Sequence, residues 1–291
     1  MLMSARLSPN ASNKKQYDIT FETKCYENDW EYLLKTKYLD NMILNCNVPF
    51  AFRQIIINNV NGRGEVAKWA ELKKQENIID DYYFATDYED KAFCHFGLEK
   101  DSFGKGYYYS NSELVGLFLS KTKYHLHFSS DAFIPHSYRN SDWIYEACDI
   151  MEKHSEYVVA NPTWNLAFND AKKEASGTIG NFFTGYGFSD QCYMVNTKIF
   201  QGNIYNFVHP DSERYPKYAG ELFEKRVDSF MRTHNLCRLT SCNTSYTHCN
   251  FPRNSNLSRK LVLILIAMDL YVPYTRLRCC LNKAIPNPKR W

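Results

Sequence analysis

The sequence lacks the features that would place it in several common functional classes. Its ten cysteines form no Cys-x-x-Cys pair and show no zinc-knuckle spacing, which argues against a structural zinc site. Its net charge is only +3, so nothing favours a nucleic-acid partner. The apolar run Leu261 to Met268 is too short to span a bilayer, and the polar residues 1–16 do not resemble a signal peptide. We therefore expect a reducing, cytoplasmic location.

The composition that is present is that of a folded protein. Apolar residues make up 44% of the 291 positions and aromatic residues 16%, which is enough to bury a sizeable core. We expect a flexible leader over residues 1–16 and one compact domain over residues 17–252. The remaining residues, 253–291, form a basic and apolar tail, which is predicted either to pack on the domain or to lie on an anionic membrane surface.

Strand and helix patterns alternate through the first half of the chain. This order predicts an α/β fold with a mostly parallel central sheet flanked by helices. The predicted strands are residues 17–24, 52–60, 81–87 and 124–131, with helices from Asn28 to Tyr38, over 66–74 and over 111–120. The second half predicts a helix over 141–154, a strand over 157–162 ended by Pro162, a mobile glycine-rich loop over 165–187, a strand over 188–195, a helix over 218–234 and a strand over 237–240.

The most informative stretch is the alternating, aromatic-rich run that ends in Ser129-Ser130-Asp131. A buried strand of this kind delivers its last polar residues to the carboxyl edge of an α/β sheet, where such sheets bind ligands. Asp131 is therefore a candidate ligand for a divalent metal, and Ser129 and Ser130 offer hydroxyls to metal-bound water or to a sugar. The alternative is that Asp131 is a helix cap or a turn carboxylate.

Four other polar residues lie in patterns that suit chemistry. Asp190, after a glycine-rich stretch, is a candidate general base or sugar-binding carboxylate, and Gln191 could stabilise positive charge at an anomeric carbon. Glu224 is a second candidate base, on a predicted helix. His248 follows a strand and could complete a metal shell or bind a phosphate oxygen. Alternatively, Asp190 is a turn residue that binds local backbone amides, Glu224 lies on a solvated helix face, and His248 has a structural role.

Taken in order, these motifs resemble a GT-A-fold glycosyltransferase. The similarity runs from Thr23-Lys24 through Ile55-Ile56-Ile57-Asn58, Ser129-Ser130-Asp131 and the segment Gly-Phe-Ser-Asp-Gln at 187–191 to the final His248. It is similar to bacterial and large-virus enzymes that build capsule, lipopolysaccharide or capsid glycans. The segment 187–191 is its most specific part.

The resemblance implies a UDP- or GDP-sugar donor, Mn²⁺ or Mg²⁺, and a saccharide or lipid-linked saccharide acceptor. Residues 17–160 would bind the donor, and residues 161–252 would shape the acceptor site. Thr23, Lys24 and Asn58 would lie near the nucleotide, and Asp131 would be the last acid of the Asp-x-Asp motif. The sequence departs from that motif at Ser129, where the first acid should stand.

Two rival functions remain at this stage. The departure at Ser129 leaves open a catalytically inactive protein of the same fold that binds a carbohydrate or nucleotide. A nucleotidyltransferase is disfavoured, because no glycine-rich phosphate loop with a lysine follows the first strand.

Overall fold

A ten-stranded sheet runs through the part of the chain that this computed structural model describes, which comprises residues 15–215, 221–249, 251, 256–275 and 277. Nine strands follow the spatial order β3-β2-β1-β4-β9-β6-β10-β8-β7, and β5 pairs with β10. The strands are β1 Ile19–Cys25, β2 Phe52–Ile57, β3 Asp81–Phe84, β4 Tyr124–Phe128, β5 Ala132–Phe133, β6 Tyr157–Trp164, β7 Gly177–Ile179, β8 Phe182–Gly185, β9 Cys192–Asn196 and β10 Cys237–His248.

Most strands that build the site point in the same direction. β1 pairs in parallel with both β2 and β4, β2 pairs in parallel with β3, and β6 pairs in parallel with β10. β9 lies between β4 and β6 and is antiparallel to both, so β4 and β6 point in the same direction. The carboxyl ends of β1, β2, β4 and β10 therefore meet at one edge of the sheet, as a mostly parallel α/β sheet requires.

Helices cover both faces of this sheet, because the strand side chains alternate between two apolar cores. Phe21 of β1 and Met194 of β9 point into one core, and Tyr193 of β9 points into the other. The helices are α1 Trp30–Lys35, α2 Tyr38–Leu44, α3 Arg63–Gln75, α4 Glu89–Phe96, α5 Tyr107–Leu119, α6 Trp143–Lys153, α7 Phe168–Glu174, α8 Thr197–Phe200, α9 Phe223–Thr233 and α10 Asn256–Ala267. The first core packs against α1, α2, α3 and α6, and the second against α4, α5, α8 and α9.

The prediction that Pro162 ends its strand is wrong, because β6 continues to Trp164. A proline has no backbone N–H to donate to a neighbouring strand. Pro162 is tolerated because the pairing of β6 with β10 is interrupted beside it: Asn161 pairs with Thr240, but Thr163 pairs with Ser245. The extra residues of β10 bulge opposite the proline, so no ladder hydrogen bond is lost.

The predicted mobile loop over 165–187 is also wrong, because it contains α7 and the β7–β8 hairpin, and β8 pairs with β10. Other element boundaries shift by a few residues. α5 begins at Tyr107 rather than near Asn111, and β9 begins at Cys192 rather than Phe188. α9 begins at Phe223, and residues 216–220, within the predicted helix, lie outside the described residues.

α10 packs on the domain with one face and leaves the other exposed. Val262 and Ile266 are buried, and the carboxylate of Asp269 beyond the helix accepts hydrogen bonds from the backbone N–H groups of His136 and Ser137 at 2.9 and 2.6 Å. Within the described residues, we find no helix with both the length and the apolar character needed to cross a membrane. Residues 278–291 of the predicted tail, and 1–14 of the predicted leader, lie outside the described residues.

Candidate active site

Four predicted site residues from distant parts of the sequence line one cleft of about 630 Å³. Lys24 lies in β1, Asn58 follows β2, Asp131 follows β4, and His248 ends β10. They meet there because the carboxyl ends of these strands share one edge of the sheet. The volume is in the range of pockets that hold a nucleotide-sized ligand.

Asp131 and His248 face each other at the base of this cleft. Nε2 of His248 lies 3.3 Å from Oδ1 of Asp131, and each side chain is about one fifth exposed. Two backbone contacts fix this approach: Ala132 pairs with His248 in the β5–β10 ladder, and the Cys249 N–H donates to the Asp131 carbonyl at 2.8 Å. Burial lowers the pKa of His248, but the adjacent Asp131 more than offsets this, so the pKa lies above 6.5.

Lys24 brings a positive charge to the same cleft. Its ammonium group donates to the carboxylate of Glu113, a fully buried residue of α5. Burial lowers the pKa of Lys24, but the charges of Glu113, Asp190 and Asp131 outweigh that effect and hold the pKa above its ordinary value. Lys24 therefore remains protonated, and it is neutralised in part by Glu113.

Asp190 and Glu224 form a carboxyl pair within reach of these charges. Burial is the largest cause that raises the pKa of Glu224, and the charge and hydrogen bond of Asp190 raise it further, while Lys24 acts in the opposite direction. Two neighbouring carboxyl groups in a half-buried position hold one proton between them more readily than they lose both. Glu224 is thus the protonated member at neutral pH.

Gln191 belongs to a second cleft, which has a volume of about 360 Å³. Its Oε1 accepts a hydrogen bond from the Tyr246 hydroxyl at 3.1 Å, which fixes the orientation of the amide. Asp190 precedes Gln191 in the chain, and its charge contributes to the raised pKa of both Lys24 and His248 in the first cleft. Asp190 therefore lies near both clefts.

Three predicted contacts do not line the first cleft. Thr23 is fully buried, and its hydroxyl finds no hydrogen-bond partner among the described residues. Ser129 donates to the Asp190 carbonyl at 3.2 Å, and its N–H donates to the Gln191 carbonyl at 2.8 Å. Ser130 donates to the buried carboxyl group of Asp29. These serines brace the loop that carries Asp131 rather than facing a ligand.

Sequence reasoning missed two neighbouring tyrosines at the mouth of the cleft. Tyr108 and Tyr109 lie in the first turn of α5, their side chains are about half exposed, and their rings contact each other edge to face at a centroid distance of 5.1 Å. Exposed aromatic rings beside a polar cleft are suited to stacking on a nucleobase or a sugar. The signal available in the sequence was the run of three tyrosines at 107–109.

Two groups of side chains in the described residues can bind a metal ion. Asp131 and His248 offer one carboxylate oxygen and one imidazole nitrogen on the wall of the first cleft, with room left for waters and substrate oxygens, which is the donor set that Mn²⁺ accepts. Glu22, His125 and His127 also bring ligand atoms within 4.8 Å of one another, but all three side chains are completely buried. A phosphate could not reach this second group, so only the first fits a metal that must contact a diphosphate.

Comparison with known proteins identifies the class of fold. No family model and no curated protein sequence matches the chain. The structure of GalNAc-T7 with UDP, GalNAc and Mn²⁺ matches with a TM-score of 0.51 and 8% identity, covering 81% of this chain but only 44% of that one. The mannosyltransferase PcManGT from Pyrobaculum calidifontis, with GDP-Man and Mn²⁺, matches with a TM-score of 0.46 and 11% identity over 90% of this chain and 65% of that one. A UDP-glucose pyrophosphorylase matches with a TM-score of 0.46 and 10% identity, over 89% and 99%.

The predicted fold class is confirmed: the chain has a GT-A-like α/β fold with a mostly parallel central sheet flanked by helices. At identities this low, the likeness concerns the fold, and activity must be argued from the site.

Proposed function

We propose that this protein transfers a sugar from a UDP- or GDP-sugar to a saccharide or lipid-linked saccharide acceptor, assisted by Mn²⁺ or Mg²⁺. The observation that carries the proposal is the convergence of Lys24, Asn58, Asp131 and His248 on one cleft of about 630 Å³. This combination offers a cation, a neutral amide and a metal-binding pair to a ligand that bears several phosphate oxygens.

In this proposal the first cleft binds the donor. Tyr108 and Tyr109 stack on the base or ribose at its mouth, and Lys24 lies toward the diphosphate. Asp131 and His248 would hold the cation, which would supply positive charge beside the departing nucleoside diphosphate. Lys24 adds a second positive charge, which partly compensates for the missing first acid of the Asp-x-Asp motif at Ser129.

The second cleft binds the acceptor, and Asp190, near both clefts, removes the proton from the acceptor hydroxyl. Glu224 does not serve as this base, because burial and Asp190 keep its carboxyl group protonated. It instead donates a hydrogen bond to Asp190 and so holds that carboxylate in place. Gln191, oriented by Tyr246, presents its amide beside the reacting sugar.

The test is a screen of UDP- and GDP-sugars with and without Mn²⁺, in which released nucleoside diphosphate and pyrophosphate are both quantified. Asp131→Ala and Asp190→Ala should each lower turnover on the order of 100-fold or more, because each removes a charge that acts on the reacting groups. Asp170→Ala is the matched control, since Asp170 is an exposed carboxylate on α7. Circular dichroism establishes that each variant is folded.

Each alternative outcome points to a different function. Wild-type turnover in Asp131→Ala would remove that residue from the site. Nucleotide-sugar binding with no turnover under any metal condition would favour the inactive binding protein that the serine at 129 left open. Release of pyrophosphate in place of nucleoside diphosphate would identify a nucleotidyltransferase.

A peripheral membrane contact through the C-terminal region is part of the proposal. Leu257, Leu261 and Ile264 of α10 and Met268 just beyond it are exposed, opposite the buried face of the helix, and basic residues flank the helix. An apolar ridge with basic neighbours suits an anionic lipid surface. Co-sedimentation with phosphatidylserine vesicles should fall when Leu261 and Ile264 are both changed to Ser, and unchanged binding would refute this contact.

A further inference from the structure

The second cleft is rich in guanidinium groups as well as aromatic rings. Trp164 and Tyr246 form part of its wall, and Arg214 and Arg238 bring two positive charges to it. The Ser189 hydroxyl and the amide of Gln191 add hydrogen-bonding groups on the side that faces Asp190. A neutral saccharide would need the rings and the hydroxyl-binding groups, but it would not need two arginines.

Arg238 lines the second cleft, and Glu174, an exposed residue of the same lining, is an acidic residue whose charge acts on it. Arg238 lies in β10, and within the described part of the chain its guanidinium makes no ion pair, while its Nε is buried and has no hydrogen-bond partner. Burial lowers the pKa of Arg238, yet a guanidinium stays charged in proteins. A guanidinium with a buried, unpaired Nε is stabilised when a ligand supplies an anion beside it.

Arg214 lies beside Arg238 across a glycine. A Cβ atom built on Gly187 would come within 2.8 Å of Nη2 of Arg214 and 3.2 Å of Nη1 of Arg238, so no side chain fits between the two groups. The backbone of Gly187 also has φ of +108°, which other residues rarely adopt. Arg214 has a distant carboxylate partner, since its Nη2 lies 3.7 Å from Oδ1 of Asp228.

We propose that this cleft is an oxyanion site and that the acceptor carries a phosphate or a carboxylate group held by Arg238 and Arg214. The paired guanidiniums offer several N–H donors to such a group, and Trp164 offers a ring face to the attached sugar. Glu174 at the rim is exposed and solvated, so it repels the anion weakly. The role of the ligand as an acceptor rests on the proposed function. The oxyanion site itself does not depend on that function.

Isothermal titration with three matched sugars tests the site directly. Glucose 6-phosphate and glucuronate carry the two candidate anions, and glucose carries none. We expect at least one charged sugar to bind and glucose not to bind, with an affinity that falls as salt is added. Arg238→Gln should weaken binding of the charged sugar at least tenfold, and Arg238→Lys should recover part of it. Arg139→Gln, at an exposed arginine that lines neither cleft, should bind like the wild type.

A second pair of variants separates this site from the donor cleft. His248→Gln changes the donor cleft and should leave binding of the charged sugar unaltered, while Arg214→Gln, at a half-exposed residue, should weaken it without unfolding the protein. Equal affinity for glucose and both acids, or loss of binding in His248→Gln but not in Arg238→Gln, would overturn the oxyanion site. Arginine-dependent binding in a protein that turns over no nucleotide sugar would support the site and refute the glycosyltransferase proposal instead.

Discussion

The carboxyl group of Glu224 lies close enough to that of Asp190 for the charge of Asp190 to raise the pKa of Glu224. Burial of Glu224 and the charge of Asp190 both favour a proton on Glu224. In the proposed function the two carboxyl groups have different roles: Asp190 accepts the proton of the acceptor hydroxyl, and Glu224 positions Asp190. Environment rather than residue type makes this distinction.

Glu224→Gln should therefore keep most of the sugar-transfer activity, within about tenfold, whereas Glu224→Ala should lose on the order of 100-fold. The amide of Gln can donate to Asp190 as the protonated carboxyl group does, and Ala cannot. The comparison of kcat for the two variants is the measurement. Equal, severe losses in both would show that the acidic proton or the charge of Glu224 is itself needed.

The substitution Glu224→Gln should also change how the stability of the protein depends on pH. The pKa of Glu224 is raised in the folded state above its ordinary 4.5, so the folded protein holds a proton that the unfolded chain releases. Stability is then lost progressively as pH rises above the unfolded value, and Gln removes that loss. We therefore expect Glu224→Gln to raise the free energy of unfolding relative to the wild type, and this gain should be about 1–3 kcal/mol larger at about pH 8 than at about pH 5. Urea unfolding at the two pH values measures it. Glu156→Gln, at an exposed glutamate, is the control and should show no such gain.

Metal binding should depend on pH through His248. Its pKa is raised above 6.5, because Asp131 outweighs the opposing effect of burial. A metal needs the neutral imidazole, so Mn²⁺ affinity should rise as pH increases through this raised pKa, with release of a proton on binding. Calorimetry in buffers of different ionisation enthalpy measures the proton. His248→Gln should abolish both effects and His154→Gln neither; affinity independent of pH in the wild type would exclude His248 as a ligand.

Much of the first cleft could be predicted from local patterns. Alternating apolar residues predict β1, β2 and β4, and polar residues that follow such strands, such as Asn58 and Asp131, must lie at one edge of a parallel sheet. His248 could be assigned only loosely, because β10 was predicted to stop at Thr240 and instead bulges and continues to His248. A bulge depends on the neighbouring strand and has no period of its own in the sequence.

Other parts of the site depend on tertiary packing and could not be predicted. Tyr109 of α5 lines the cleft and Glu113 of α5 pairs with Lys24, and the position of a helix over a sheet edge is not encoded in its own periodicity. The proximity of Glu22 to His127 depends on the register between β1 and β4, which pairs these two residues. The spacing of His125 and His127 places both on one face of β4, but the identity of their partner comes only from that register.

The exposed tyrosines at the mouth of the cleft provide a test of donor binding that involves no charge. Tyr109→Ala should weaken binding of UDP or GDP by about 1–3 kcal/mol, because a stacked ring is lost, and Tyr109→Phe should bind almost as the wild type does. Fluorescence or calorimetric titration measures either change. Tyr274→Ala, at an exposed tyrosine beyond α10, is the matched control. Unchanged nucleotide affinity in Tyr109→Ala would place the base elsewhere.

The buried side chains around Glu22 of β1 should tolerate substitution far less than the residues that line the cleft. Glu22 accepts hydrogen bonds from Gln54 at 2.5 Å and has its carboxylate 3.0 Å from Nδ1 of His127, and a Cβ atom built on Gly116 of α5 would lie 2.0 Å from its Oε2. Because these partners fix the carboxylate, Gly116→Ala should cost about 1–3 kcal/mol. Gly64→Ala in α3, where a Cβ meets nothing within 4 Å, should instead gain about 0.5–1 kcal/mol.

Urea unfolding of the two glycine variants measures this difference, and a double variant identifies its cause. If contact with the carboxylate is responsible, Gly116→Ala should cost much less in a Glu22→Ala background than in the wild type, so the two effects should not add. Fully additive effects would attribute the cost to α5 itself. β1 carries both Glu22 and Lys24, two positions apart on the same face of the strand. Gly116→Ala should consequently weaken donor binding as well, whereas Gly64→Ala should leave it unchanged.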